Sequence, residues 1–203
     1  MKKGKFFKEK SIFILLNFIF ISTSAFSYQI NKDIRHTYPY WFYCYIKDKE
    51  ALFKDVEDFL KPDSIVIYKS KRKMLLLKNG ILIRKFYVSL GRNPIGKKEK
   101  IWDGKTPEGL YYIDWRNRNS SYFLSLKISY PNFEDKINAY VKGYNPGNMI
   151  MIHGFPNWSF LYPKYQEVLK YVDWTNGCIA VSNEEMKQIW DLVDDFTPVI
   201  IKP

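Results

Sequence analysis

Histidine and cysteine are scarce in this chain, which holds only His36, His153, Cys44 and Cys178 among its 203 residues. A structural or catalytic zinc site draws on more ligands of these types, so no metal is expected. There is also no Gly-x-Ser-x-Gly elbow, no glycine loop that would cradle phosphates and no dinucleotide fingerprint. These absences remove the common hydrolase, nucleotide and redox-cofactor classes, and no cofactor is implied. No internal repeat and no low-complexity tract interrupts the chain, and after the first 27 residues no apolar run approaches the ~20 residues a spanning helix needs.

The chain opens with Lys2, Lys3, Lys5, Lys8 and Lys10, continues through the apolar Ile12 to Ile21, and reaches Ala25-Phe26-Ser27. A basic start, a short apolar stretch and small residues at the −3 and −1 positions form a secretory signal, so residues 1–27 are expected to be a cleaved leader. The mature protein is then expected in the periplasm or cell envelope, without a stable transmembrane span. The formal net charge is +11. Removing the leader, with its five lysines against Glu9, leaves about +7. No Lys/Arg cluster sits on a nucleic-acid-binding motif, so no nucleic acid is expected as partner. Anionic wall polymers, carboxylate-rich peptides and acidic headgroups suit this charge, as does a merely solvated basic surface.

Residues 28–62 read as an aromatic-rich N-terminal extension containing a short amphipathic helix near 51–60. Cys44 lies there among Tyr40, Trp41, Phe42, Tyr43 and Tyr45, where a buried, inert thiol is expected. Pro62-Asp63 breaks that pattern, and 63–203 reads as one domain. Strands are expected at 65–68, 74–77, 81–90, 110–114, 122–129, 148–153 and 198–201, with Asn79-Gly80 as a hairpin turn. One helix is clear: Ser182 is its N-cap and Glu185 the capping-box partner, while Met186, Ile189, Trp190 and Val193 form one apolar face. The fold class is mostly β, a sandwich or distorted barrel with one or two packing helices.

Two loops rich in glycine and proline, 91–96 and 103–109, are long enough to suggest function. His153 and Cys178 each stand where an apolar segment meets a glycine turn, Ile152-His153-Gly154 and Thr175-Asn176-Gly177-Cys178. Strand ends of this kind bring two side chains into one cleft, and a nearby imidazole is the usual means of activating a thiol. On spacing alone, a buried cysteine and a satisfied core histidine explain the pair more simply.

The ordered motifs add more. Ser89-Leu90-Gly91-Arg92-Asn93-Pro94-Ile95-Gly96, then Asp103 through Ile113 around Thr106-Pro107-Glu108-Gly109, then Ile152-His153-Gly154, then Thr175 through Val181 resemble the YkuD-type L,D-transpeptidase catalytic domain over roughly 65–201. Within it the murein-processing branch carrying Gly-Cys-Ile-Ala-Val is the nearest likeness. The resemblance implies a β-sandwich-like fold and peptidoglycan stem peptides as partners. It makes Cys178 the nucleophile, His153 the proton donor and acceptor, and Gly177 with the Cys178 amide the oxyanion turn. Thr175, Asn176 and Gly154 are expected to line the substrate site.

Two positions depart from the family pattern. Asn176 stands where many members have histidine, and Ala180 where many have an arginine that would clamp a carboxylate. Arg92 is either a surface charge or a replacement for that arginine. Thr106 and Glu108 are noted in the Thr-Pro-Glu-Gly segment, whose Pro107 and Gly109 read as turn formers more than as substrate contacts, and the aromatic insertion after His153, from Phe155 to Tyr162, reads as either a lid or a packed loop. The function expected is a thioester-forming L,D-transpeptidase acting on tetrapeptide stems. A hydrolase of the same stems (a carboxypeptidase, or an amidase releasing wall-linked protein) and a non-catalytic wall-binding module remain as alternatives.

Overall fold

A computed structural model of the protein describes residues 61–203. The leader, nearly all of the extension with its helix, His36 and Cys44 lie outside the described residues.

Eight strands form one mixed sheet: β1 (Ser64–Tyr68), β2 (Lys73–Lys78), β3 (Ile81–Tyr87), β4 (Gly109–Ser120), β5 (Phe123–Ile128), β6 (Met151–His153), β7 (Ile179–Ala180) and β8 (Pro198–Lys202), in spatial order β3-β2-β1-β8-β4-β5-β6-β7. β1, β2 and β3 are hairpin-linked. Asn79 and Gly80 turn the second hairpin with φ of 50° and 75°, the positive pair that a type I′ turn requires and that asparagine and glycine tolerate. The parallel pairs are β1 with β8 and β6 with β7.

Beyond β3 the chain leaves one edge of this sheet and reaches the other. Ser89 and Ala180 exchange backbone hydrogen bonds of 2.9 and 2.8 Å, and Thr175 N–H donates to Leu90 O at 3.1 Å. Two isolated bridges, Ser89 with Ala180 antiparallel and Gly91 with Thr175 parallel, thus draw the two edges together, as expected of a distorted barrel. Alternation along the strands fills the interior: Ile65, Ile67, Met74, Leu76, Ile113, Leu126, Ile152 and Ile179 are fully buried. Each such side chain contributes about 1.5–3 kcal/mol by leaving water.

Among the described residues the helices are α1 (Phe133–Val141), α2 (Pro163–Leu169) and α3 (Asn183–Leu192), with a 3-10 turn at Asn157–Leu161. α3 has the expected cap: Ser182 accepts the Glu185 N–H and Glu185 accepts the Ser182 N–H. Its buried Met186 and Ile189 pack over β5. These three helices are one more than the one or two expected, and α1 and α2 stand beside the one the sequence made clear. Asn132 and Asp135 cap α1 reciprocally, but only Asp135 and Ala139 of that helix are buried. The insertion after His153 is the 3-10 turn followed by α2, which Pro163 starts. Among the described residues no helix is long and apolar enough to cross a membrane.

The sheet places the site. In the parallel β6–β7 ladder Ile152 pairs with Ile179 and His153 with Ala180. Ile152 and Ile179 face the core, so His153 and Ala180 face the opposite side. Cys178 immediately precedes β7, the strand paired with the one that carries His153.

Candidate active site

Cys178 is half-buried immediately before β7. Its thiol donates to Met149 O at 3.6 Å. Burial pushes the thiol pKa up, and the Met151 N–H and the Lys98 charge pull against that rise. His153 is 4% exposed. Its Nδ1 lies 2.6 Å from Gly154 O, and a carbonyl only accepts, so Nδ1 carries the proton and Nε2 keeps a free lone pair. Burial lowers the imidazole pKa to about 4, against an opposing pull from the Gly154 bond. At neutral pH Cys178 is therefore a thiol and His153 a neutral imidazole with Nε2 able to accept a proton.

The turn before Cys178 is tied from within. Thr175 is buried; its hydroxyl accepts the Gly177 N–H at 3.1 Å and donates to Cys178 O at 2.8 Å. The Gly177 amide is therefore already engaged. The Cys178 N–H has no acceptor among the described residues and is the amide left for an oxyanion. Gly177 contributes its conformation instead: φ is +127° and a Cβ would lie 2.6 Å from Lys105 O.

Gly154 is also buried, its would-be Cβ 2.6 Å from Asn183 Oδ1, and its carbonyl orients His153. Of the residues expected to line the substrate site, Thr175 and Gly154 thus face inward, and Asn176 is exposed. Arg92 is exposed and lies against the turn: its N–H donates to Thr175 O at 3.0 Å and its Nε to Trp174 O at 3.3 Å. The two terminal guanidinium nitrogens make no hydrogen bond among the described residues.

Several residues outside the histidine and cysteine motifs hold this arrangement. Thr106 is fully buried and its hydroxyl accepts the Gly91 N–H at 3.0 Å. The Lys69 ammonium, itself buried, donates to Gly96 O, Thr106 O and Glu108 Oε1 at 2.7, 2.9 and 2.8 Å, which uses all three of its protons. Lys98 pairs with Asp103 at 2.8 Å with both side chains buried, and the Asp103 carboxylate accepts the N–H groups of Glu99, Lys100 and Lys105. These bonds stiffen the two glycine-rich loops against the cysteine turn. The signal for Thr106 and Glu108 was present in Thr-Pro-Glu-Gly; for Lys69 and Lys98 there was none, since a lysine's burial follows from tertiary contacts. No cluster of three metal-ligating side chains occurs among the described residues.

A mostly β domain with a cysteine in a glycine turn and a buried, carbonyl-oriented histidine on the next strand is the class of protein defined so far. A profile of the L,D-transpeptidase catalytic domain (YkuD) matches residues 62–201, and the chain belongs to that family. Its fold is also similar to solved structures of the helical cell shape determining protein Pgp2 from Campylobacter jejuni (23% identity over 68% of this chain and 46% of that one, TM-score 0.49). The same holds for Bdellovibrio bacteriovorus Bd1075 (23% over 70% and 48%, TM-score 0.47). It holds too for an L,D-transpeptidase from Xylanimonas cellulosilytica (16% over 68% and 59%, TM-score 0.46). The chain spans between 46% and 59% of the length of these three. No curated protein matches it in sequence.

Proposed function

We propose that the protein is an exported, peptidoglycan-modifying L,D-transpeptidase that acts on tetrapeptide stems through a thioester on Cys178. The leader at 1–27 is removed on export and 63–203 is the catalytic domain. One observation carries this reading: His153 has Nδ1 fixed on Gly154 O and Nε2 free, on the strand paired with the one that Cys178 immediately precedes. As the Cys178 sulfur attacks the carbonyl between the L-centre of the diamino acid and the terminal D-alanine, Nε2 takes the thiol proton. The Cys178 N–H donates to the developing oxyanion. The C–N bond then breaks, His153 passes the proton to the departing D-alanine amine, and a thioester remains. An acceptor amine attacks the thioester, His153 takes its proton, and the thiol is restored. Arg92, with two uncommitted nitrogens beside the turn, holds a stem carboxylate in place of the arginine missing at Ala180.

Tetrapeptide muropeptides incubated with the protein, with and without an added amine, test this reading by mass spectrometry. The expected products are free D-alanine and a stem joined to the amine. D-Alanine release that is indifferent to the amine identifies water as the acceptor and the enzyme as a hydrolase of the same stems. Muropeptides left unaltered under both conditions sink the catalytic reading in favour of a wall-binding module.

A further inference from the structure

Two aromatic rings close over the candidate base. The Tyr122 ring centroid is 4.6 Å from that of His153, the Trp174 centroid is 5.6 Å from it, and the two aromatic rings are 6.0 Å apart. The three rings form a tight cluster in which the imidazole is almost wholly withdrawn from solvent. Tyr122 sits at the β4–β5 turn. Trp174 comes from the segment leading into the cysteine turn.

That segment is tethered from a distant part of the chain. Arg72, in the β1–β2 turn, places Nε 3.1 Å from both Asp173 oxygens and Nη2 2.6 Å from Oδ2. Asp173 Oδ1 also accepts the Leu90 N–H at 2.9 Å, and Trp174 Nε1 donates to Leu169 O at 3.2 Å. Both side chains of the ion pair are less than one-third exposed. A partly buried pair with this geometry has one preferred arrangement, unlike an exposed pair. Trp174, the next residue after Asp173, is thereby fixed against His153.

We propose that Tyr122 and Trp174, the latter held by the Arg72–Asp173 pair, are positioning residues: Tyr122, itself 40% exposed, and Trp174 form an aromatic enclosure that orients the His153 ring and shields it from water. A neutral ring loses little by leaving water, whereas an imidazolium loses its hydration and gains no anion in exchange. No opposing charge sits in the enclosure. From β5, Ser125 lies in register with His153, and Lys127 is turned to Asp114 at 2.5 Å. β7 brings Ala180 and, just before it, the Cys178 thiol. The 173–175 segment brings Asp173, whose carboxylate faces Arg72 and Leu90 N–H. Tyr122 is the remaining titratable neighbour.

The inference rests on the proposed function only in making this imidazole the base, and its test needs no turnover. In full-length protein carrying His36→Gln, His153 is the sole imidazole, so its ring resonance can be followed by NMR from pH 3.5 to 8. The parent is expected to titrate at about 4. Trp174→Ala admits water and moves the midpoint to about 6, close to the ordinary histidine value. Trp174→Phe keeps a ring in place and stays near the parent. Arg72→Met leaves the indole but removes its tether, so the midpoint falls between the two. If Trp174→Ala does not fold, Arg72→Met and Tyr122→Ala carry the same reading. Midpoints of the folded alanine and methionine variants that coincide with the parent's overturn the proposal. A chain that gives these shifts but no muropeptide products supports the enclosure while refuting the proposed function.

Discussion

At the scale of the residue, the chemistry depends on which atoms are already committed. Gly154 O holds Nδ1 of His153, Thr175 Oγ1 holds the Gly177 amide, and Nε2 and the Cys178 N–H are left for a substrate. The depressed proton affinity of His153 has a consequence for stability. Its folded pKa is about 4 against an ordinary 6.5, so between these values the unfolded chain binds a proton that the folded chain does not. Acidification through this window therefore weakens the fold, and the contribution is fully present only above about pH 6.5. Urea unfolding at pH 7 and pH 4.5 is expected to show the parent losing about 2 kcal/mol more than His153→Gln. Subtracting the variant cancels the carboxylates that titrate over the same range. Equal losses in both proteins would mean that His153 is solvated.

At the scale of the element, some features were legible in the sequence and others were hidden by geometry. Asn79-Gly80 and the Ser182–Glu185 cap are local signals, and the turn and helix they announce are present. α1 carried a cap signal in Asn132 and Asp135, yet Phe133, Tyr140 and Val141 point to solvent, so no core-facing periodicity marked it. β4 runs to Ser120 and not to Asp114 because register shifts between Ile113 and Trp115 and again before Ser120 break its alternation, and its end is polar. β3 stops at Tyr87 because the residues after it leave the hairpin for the far edge. The junction formed there has no counterpart in any local pattern. A Cβ on Gly91 would lie 2.1 Å from Gly104 O and 3.0 Å from the Gly177 Cα, so three loops meet where only backbone fits. Gly91→Ala is expected to separate the cysteine turn from its support, costing roughly 2–3 kcal/mol. The same displacement should lower turnover about a hundredfold or more, as ~1 Å misplacements do. Gly80→Ala is the matched control, with φ of +75° and nothing within 4 Å of the added carbon. It should cost about 1–2 kcal/mol of strain and leave turnover unchanged. Similar turnover in the two variants would show that the glycine junction does not position the site.

At the scale of the whole molecule, the site occupies the seam where the two edges of the sheet approach each other. Cys178 and His153 are 25 residues apart in the chain and were both marked by motif, since each borders a glycine turn that local sequence reveals. The groups that hold them come from elsewhere: Arg72 reaches Asp173 across 101 residues, and Lys69 reaches Glu108 across 39. Pairs at such separations exist only once the sheet has formed, which is why no spacing in the sequence announced them. At this seam Ala180 is buried and bridged to Ser89, where the two edges meet. Arg92, proposed to hold the stem carboxylate instead, stands on the open side of the turn. The central claim is that a thioester forms on Cys178 and on no other residue. The most direct measurement is intact-protein and peptide mass spectrometry of full-length protein quenched with acid shortly after mixing with a tetrapeptide muropeptide. The account predicts a mass increase equal to the stem minus D-alanine, confined to the peptide containing Cys178, lost on hydroxylamine treatment and absent from Cys178→Ala. D-Alanine released at the parent rate by Cys178→Ala, or an adduct on any other residue, would contradict it.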